Sequence, residues 1–184
     1  MNMNFINAIS ALSLINEGGA DYQKEYKNYI YAHKSRVKQY ADWLKKNLPE
    51  LFDGSFLPVD IDAFNEVIAE HDDSKFSEEE FEPYAYFWYN DKDHYEYDPE
   101  YEAAWEHHWM NNEHHPEHWL GQDMSYIYIL EMLCDWGSFS IARGNMNELI
   151  EYYYEEARDD DEKNLSNNTK KIIEEILSKI EEVA

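Results

Sequence analysis

The pattern that most constrains the fold runs from Asp21 to Asn47. Bulky apolar side chains recur there at every third or fourth position, which is the spacing of one face of an α-helix. The stripe comprises Tyr22, Tyr26, Tyr29, Ile30, Val37, Tyr40, Ala41, Leu44 and Leu48. His33 lies within it, so its imidazole is predicted to point towards the protein interior. Taken alone, such a histidine is more often a core residue than a metal ligand.

Further segments repeat the helical spacing. The predicted helices cover about residues 3–16, 21–47, 60–72, 78–89, 99–111, 124–142, 146–157 and 165–183. With 6 Gly and 5 Pro, the chain has few residues for the many turns of an all-β protein. We therefore predict an all-α fold. It would consist of a helical extension at 1–20, a helical domain at 21–158, and a C-terminal amphipathic helix at 159–184 that packs on the domain.

Local signals place several helix ends. Ser77 followed by Glu80 forms a capping box that predicts the start of one helix. Asp98, which precedes a proline, predicts the start of another. His115 also precedes a proline and must therefore leave helical geometry. Gly144 is predicted to separate the last two helices of the domain.

The charge balance excludes some classes of partner. The chain has 15 Lys and Arg against 40 Asp and Glu, a net charge of −25. The electrostatic field of this negative charge repels nucleic-acid backbones and anionic membrane surfaces, so we expect neither as a general partner. A nucleotide in a metal-lined pocket stays compatible with it, because metal ions reverse the local field. The single cysteine, Cys134, excludes an internal disulfide and is typical of a cytoplasmic protein.

Five of the 8 histidines fall within twelve residues, namely His107, His108, His114, His115 and His118. Three tryptophans, Trp105, Trp109 and Trp119, are interleaved with them. A polar metal-sequestering tail would also be rich in histidine, but the bulky rings indicate a folded wall around these side chains. In each His-His pair, helical geometry lets only one imidazole face a given point. The other imidazole can then contact residues that surround the metal ligands, or a substrate.

Two further positions offer carboxylate ligands. His71 and Asp72 are adjacent, and an imidazole nitrogen beside a carboxylate oxygen suits divalent transition metals. Lys75 is an alternative to a metal ion as the positive charge that compensates the carboxylate of Asp72. Asp135 lies in an apolar helical stretch, where an ionised carboxylate needs a metal, a salt bridge or a capping role. Glu131, one turn earlier, is expected to be solvated.

The order of these residues resembles the HD superfamily of metal-dependent phosphohydrolases, all-helical bundles with a central site for one or two metal ions. The resemblance implies an HD-like domain in which the first metal is bound by His33, His71, Asp72 and Asp135. It implies that a second metal is bound by His107 or His108 together with His114 or His115. Lys75 corresponds to the lysine that lies beside the substrate phosphate in HD-GYP phosphodiesterases. The chain has no GYP motif, so hydrolysis of cyclic di-GMP is not implied.

Four longer strings resemble an uncharacterised family of phage and bacterial proteins over about residues 25–145. They are HKSRV, HDDSKF, AWEHHWMNNEHHPEHW and EMLCDWGSFS. This resemblance implies that the protein is located in the cytoplasm of a bacterium or of an infected host cell. A host protein partner and a homo-oligomer both stay open.

The resemblance implies a phosphomonoesterase or phosphodiesterase that uses a metal-activated water. Its cofactor would be one or two divalent ions of Mn, Fe, Co, Ni or Mg, and its substrate a nucleotide or small cyclic nucleotide. Asp72 would bind the metal ions, and Lys75 would place a positive charge beside the phosphoryl oxygens. His118 would protonate the leaving oxygen. Two alternatives come from other classes. One is an HD-fold two-iron oxygenase, and the other is a phage-type binding or inhibitor protein that uses its acidic surface.

Overall fold

The structure is a computed structural model that describes residues 22–89 and 97–184. Every regular element in these two ranges is helical, which confirms the predicted all-α fold. The α-helices are α1 (Tyr22–Asn47), α2 (Ile61–Glu70), α3 (Phe81–Tyr89), α4 (Pro99–Asn111), α5 (Tyr126–Arg143), α6 (Glu148–Tyr152) and α7 (Asn167–Val183). The predicted helix at 3–16 and the extension at 1–20 lie outside the described residues.

Side-chain caps begin several of these helices. Asp98 accepts hydrogen bonds from the backbone N–H groups of Glu100 and Tyr101, as its position before a proline predicted. His115 has an extended backbone, with φ −81° and ψ 125°, as expected for a residue before proline. Gly144 ends α5 in the left-handed conformation with φ 69°, which confirms the predicted break.

The predicted capping box at Ser77 is wrong. Helix α3 begins only at Phe81, and the Glu80 side chain turns inward instead of reaching back to Ser77. Its carboxylate accepts a hydrogen bond from the Ser74 hydroxyl at 3.0 Å and lies 2.8 Å from Nδ1 of His108. Hydrogen bonds to a buried ionised group are worth more than a bond to an exposed backbone N–H, so the interior contacts decide the conformation.

Helix α1 packs most extensively against α5 and α3 and passes through two apolar clusters. The larger cluster contains Val37 of α1 with Leu133 of α5 and Ile176 of α7. The smaller cluster joins Ile30 of α1 to side chains of α3 and α4, including Tyr84 and Tyr101. His33 lies between Ile30 and Val37 along α1, so the two clusters flank the position of this histidine.

The C-terminal helix belongs to the main core. Ile173, Ile176, Leu177 and Ile180 of α7 are buried in the larger cluster, as their amphipathic spacing predicted. Ser166 caps its start by accepting from the N–H of Thr169. Among the described residues, none of the helices combines the length and the apolar character that crossing a membrane requires.

Gly137 lets α5 approach α1 closely. A Cβ atom at this position would lie 2.5 Å from the ring of Tyr40, and both residues are buried. We predict that Gly137→Ala lowers the free energy of unfolding by about 1–3 kcal/mol, because overpacking forces the two helices apart. Thermal or denaturant unfolding followed by circular dichroism measures this. Ala142→Ser, at an exposed position of the same helix, is the control and should change stability by less than about 0.5 kcal/mol. Equal stability of wild type and Gly137→Ala would contradict the prediction.

Candidate metal centre

The centre is built around Asp72, which follows the end of α2. His71 ends that helix, and Asp72 adopts the left-handed conformation with φ 60° and ψ 18°. This backbone is unfavourable for a residue with a Cβ, by about 1–2 kcal/mol. It persists where surrounding contacts fix it, and such positions concentrate at functional sites. Here the turn directs the carboxylate of Asp72 inward, where the residue is only 1% exposed.

Outer carboxylates orient three of the histidine rings. Nδ1 of His71 lies 2.9 Å from Glu131, and Nδ1 of His114 lies 3.3 Å from the same oxygen. Nδ1 of His108 lies 2.8 Å from Glu80. Because Nδ1 of each ring contacts one of these outer carboxylates, the Nε2 atom is directed towards Asp72. Carboxylates orient metal-binding histidines in this way, since they fix both the tautomer and the direction of the ring.

One group of ligand atoms forms between α1, α5 and the His71-Asp72 turn. Nε2 of His33 lies 3.0 Å from Oδ1 of Asp135 and 3.3 Å from Oδ2 of Asp72. Nε2 of His71 lies 3.5 Å from the same oxygen of Asp72 and 3.7 Å from Oδ1 of Asp135. We call His33, His71, Asp72 and Asp135 the first ligand group. It contains the four residues that the resemblance implies for the first metal.

A second ligand group shares Asp72 and uses the histidine-rich segment. Oδ1 of Asp72 lies 3.3 Å from Nε2 of His108 and 3.7 Å from Nε2 of His114. His115 also offers a nitrogen, and the ligand atoms of these four residues all lie within 4.8 Å of one another. The two oxygens of Asp72 thus face different groups.

The residues fit a cation in the second group. Oδ1 of Asp72, Nε2 of His108 and Nε2 of His114 are buried and form no well-aligned hydrogen bond among residues 22–89 and 97–184, although Oδ1 of Asp72 lies within ion-pair distance of His108. A buried polar atom without a partner is costly, by about 1–3 kcal/mol. Three such atoms that converge on one point are explained by a shared ligand, and imidazole with carboxylate suits a divalent transition metal.

Charge within the centre is strongly coupled. Burial alone would raise the pKa of Asp72, but Lys75 and His71 hold it well below its usual range. Nζ of Lys75 lies 2.6 Å from Oδ2 of Asp72. Burial alone would lower the pKa of His71, but Asp72, Asp135 and Glu131 raise it to about 10. The excess of buried carboxylates therefore favours positive charge in the centre, whether carried by protons or by metal ions.

Glu131 is buried, and the expectation that it would be solvated is wrong. It is 4% exposed and contacts both ligand groups, through His71 and His114. The sequence does carry a signal for it. Glu131 and Asp135 are four residues apart, so they share one face of α5, and Glu131 stands in the apolar run around Leu130 and Met132. Glu80 has no comparable signal, because it ends a run of three glutamates.

Two of the predicted site histidines lie outside both ligand groups. His107 is partly exposed, and its Nδ1 lies 2.7 Å from Glu80. Nδ1 of His118 lies 3.2 Å from the backbone carbonyl of Trp109. From the first His-His pair the structure thus brings His108 to the centre, while both members of the second pair, His114 and His115, belong to candidate groups.

A cavity of about 910 Å³ reaches the centre. Residues of both ligand groups line it, namely His33, Asp135, His108 and His115, and so does Lys75. Most of its remaining wall is aromatic or acidic. The cavity gives a small molecule access to the centre.

The model of a family described as "Family of unknown function (DUF5662)" matches residues 22–179. This range contains both ligand groups and Lys75. No curated protein and no solved structure matches the chain.

Glu131 should control metal affinity without being a ligand. We predict that Glu131→Ala weakens metal binding about 10- to 100-fold, because His71 and His114 both lose the carboxylate that orients them. Competition with a chelator measures this affinity. The control is Glu66→Ala on the exposed face of α2, which should bind metal as the wild type does. Circular dichroism establishes that both variants are folded, and unchanged affinity in folded Glu131→Ala would contradict the prediction.

Proposed function

The chain belongs to the DUF5662 family, whose function is unknown, and we propose that it is a metal-dependent phosphohydrolase of the HD type. One observation carries the proposal. The buried carboxylate of Asp72 presents one oxygen to each of two groups of inward-facing imidazoles, at the inner end of a cavity large enough for a small phosphate ester. The order of the ligands along the chain, which resembles the HD superfamily, supports the same proposal.

Asp72 with His33, His71 and Asp135 would hold one divalent ion. Asp72 with His108, His114 and His115 would hold another. These would be ions of Mn, Fe, Co, Ni or Mg. When bound, such ions activate a water for attack and neutralise charge on a phosphoryl group. The outer carboxylates of Glu80 and Glu131 keep the imidazoles in place.

Lys75 is the side chain that would contact the substrate phosphate directly. It lines the cavity, and the ion pair with Asp72 fixes its ammonium at the edge of the centre. Burial alone would lower the pKa of Lys75, but Asp72 raises it above its usual value, so the side chain stays charged. In a protein with a net charge of −25, this local positive charge favours a phosphoryl oxygen at the inner end of the cavity.

The proposed hydrolysis also needs a proton donor for the leaving oxygen. His118 was predicted for this role, but it does not line the cavity and contacts the carbonyl of Trp109. The role of His118 stays a prediction.

The nitrogen-rich ligand set also suits iron, and this favours a second candidate, a two-iron oxygenase of HD-like fold. Metal analysis separates the two. Tightly bound iron with visible absorbance and no phosphate release would favour the oxygenase, whereas phosphate release with manganese or magnesium supports the hydrolase.

Asp72 is the residue that both ligand groups need. We predict that Asp72→Asn loses most of the roughly two bound metal equivalents per chain and at least about 100-fold in phosphate release from small phosphate esters. Plasma mass spectrometry on protein purified without a metal-affinity tag measures the metal, and a phosphate assay across a panel of esters, nucleotides and cyclic nucleotides measures activity.

The neighbouring Asp73 provides a matched control. Its side chain is 58% exposed and pairs with Lys34 outside both ligand groups, so Asp73→Asn should keep both metal and activity. Wild-type protein that binds no metal after supplementation, or metal-loaded protein that releases no phosphate from any ester, would overturn the proposal.

Lys75 should affect turnover more than metal content. We predict that Lys75→Met retains its metal, since Lys75 is not a ligand, and loses about 10- to 100-fold in kcat/KM, since a charge beside the phosphoryl group is removed. Lys38→Met, which removes a lysine that is 66% exposed on α1 and pairs with Asp42, is the control. Parallel loss of metal and activity in Lys75→Met would show instead that the lysine acts by stabilising the centre.

A further inference from the structure

We propose that the substrate is a small phosphate monoester whose organic part carries an ammonium group. This inference rests on the proposed function and concerns the cavity beside the centre. It assigns the phosphate to the inner end, near Lys75, and the ammonium group to the outer part. It differs from the nucleotide that the resemblance to HD proteins implies, and it comes from the side chains of the cavity wall.

Aromatic rings form much of that wall. Half-buried rings that line it include Tyr29, Trp105 and Phe139, whose centroids lie 6.0–6.3 Å from the ring of His33 or His108 at the inner end. Tyr89, Trp136 and Tyr152 line it as well. Trp136 and Tyr152 meet edge to face, with ring centroids 5.3 Å apart. Aromatic faces attract organic cations, and a cage of several rings is the usual way in which proteins bind an alkylated ammonium group.

The outer wall is acidic. Glu151, Glu155, Asp161 and Glu162 line the cavity and are exposed. Within the described part of the chain, none of these four carboxylates forms an ion pair. The two cations of this wall already have partners. Arg143 pairs with Glu148, and Nζ of Lys163 lies 3.0 Å from Asp160.

A buried polar atom also lies beside the cavity. The hydroxyl of Tyr84, a cavity-lining residue that is 4% exposed, has no hydrogen-bond partner among the described residues. A buried hydroxyl without a partner is unfavourable, so a polar group bound at this wall would stabilise it. Together with the aromatic faces, this hydroxyl distinguishes the cavity from an ordinary acidic surface.

The two ends of the cavity have opposite charge preferences. Lys75 and bound metal ions favour an anion at the inner end, while the carboxylates of the outer wall favour a cation. A phosphate ester with an ammonium group matches both ends at once. A nucleoside triphosphate would place further negative charges against Glu151 and Glu155, which is unfavourable.

Binding of the cation can be tested apart from hydrolysis. The probes are choline and 3,3-dimethylbutanol, which have nearly the same shape but differ in charge. Trp88, Trp105 and Trp136 line the cavity, so tryptophan fluorescence of the metal-loaded protein reports binding. We expect choline to bind with a Kd at least about tenfold lower. Equal affinities, or no binding of choline, would overturn the inference.

Turnover is compared with the matched esters phosphocholine and 3,3-dimethylbutyl phosphate, beside AMP and ATP. We expect kcat/KM to be at least about tenfold higher for phosphocholine than for its uncharged isostere. The double variant Glu151→Gln/Glu155→Gln should reduce this ratio at least about threefold. Glu66→Gln/Glu70→Gln, which removes two exposed carboxylates of α2 outside the cavity, should leave the ratio unchanged.

The two proposals fail in different ways. If choline binds preferentially but no ester releases phosphate, the proposed hydrolase is wrong and the cation site stands. If phosphate is released from all esters without preference, or fastest from ATP, the hydrolase stands and the cation site is wrong.

Discussion

The centre depends on a buried carboxylate that contacts positive or hydrogen-bonding groups from several elements. Asp72 is reached by His33 from α1, by His108 from α4 and by His114 from the loop after α4. An ionised carboxylate in the interior is costly unless such partners are in place. The helices that carry these histidines must therefore be positioned to within the reach of a hydrogen bond, and Asp72 links α1, α4 and the loop that follows α4.

The apolar clusters supply that positioning. The larger cluster fixes α1 against α5, and the smaller one fixes α1 against α3 and α4. On α5, Gly137 lies two residues after Asp135, and its contact with Tyr40 sets how closely this helix approaches α1. The 3.0 Å separation of His33 and Asp135 across the same two helices therefore depends on a glycine that takes no part in the chemistry.

The sequence predicts the first ligand group better than the second. His33 and Asp135 stand on helical stripes whose inward direction follows from periodicity alone, and His71 is adjacent to Asp72. The choice of His108 over His107 depends on the rotation of α4, which is set by contacts with α3. Periodicity within α4 does not determine that rotation, because α4 carries polar and aromatic residues on several faces. Glu80 was assigned to a cap for a similar reason, since a local motif carries no information about distant histidines.

Glu131 links metal binding at one ligand group to metal binding at the other. A single carboxylate oxygen contacts His71 of the first ligand group and His114 of the second. An ion in one group would restrict the rotation of Glu131 and so orient the imidazole of the other. The occupancy of each group would therefore change the metal affinity of its neighbour by the same factor, because such linkage is reciprocal. Glu131 thus makes the two groups one thermodynamic unit instead of two independent sites.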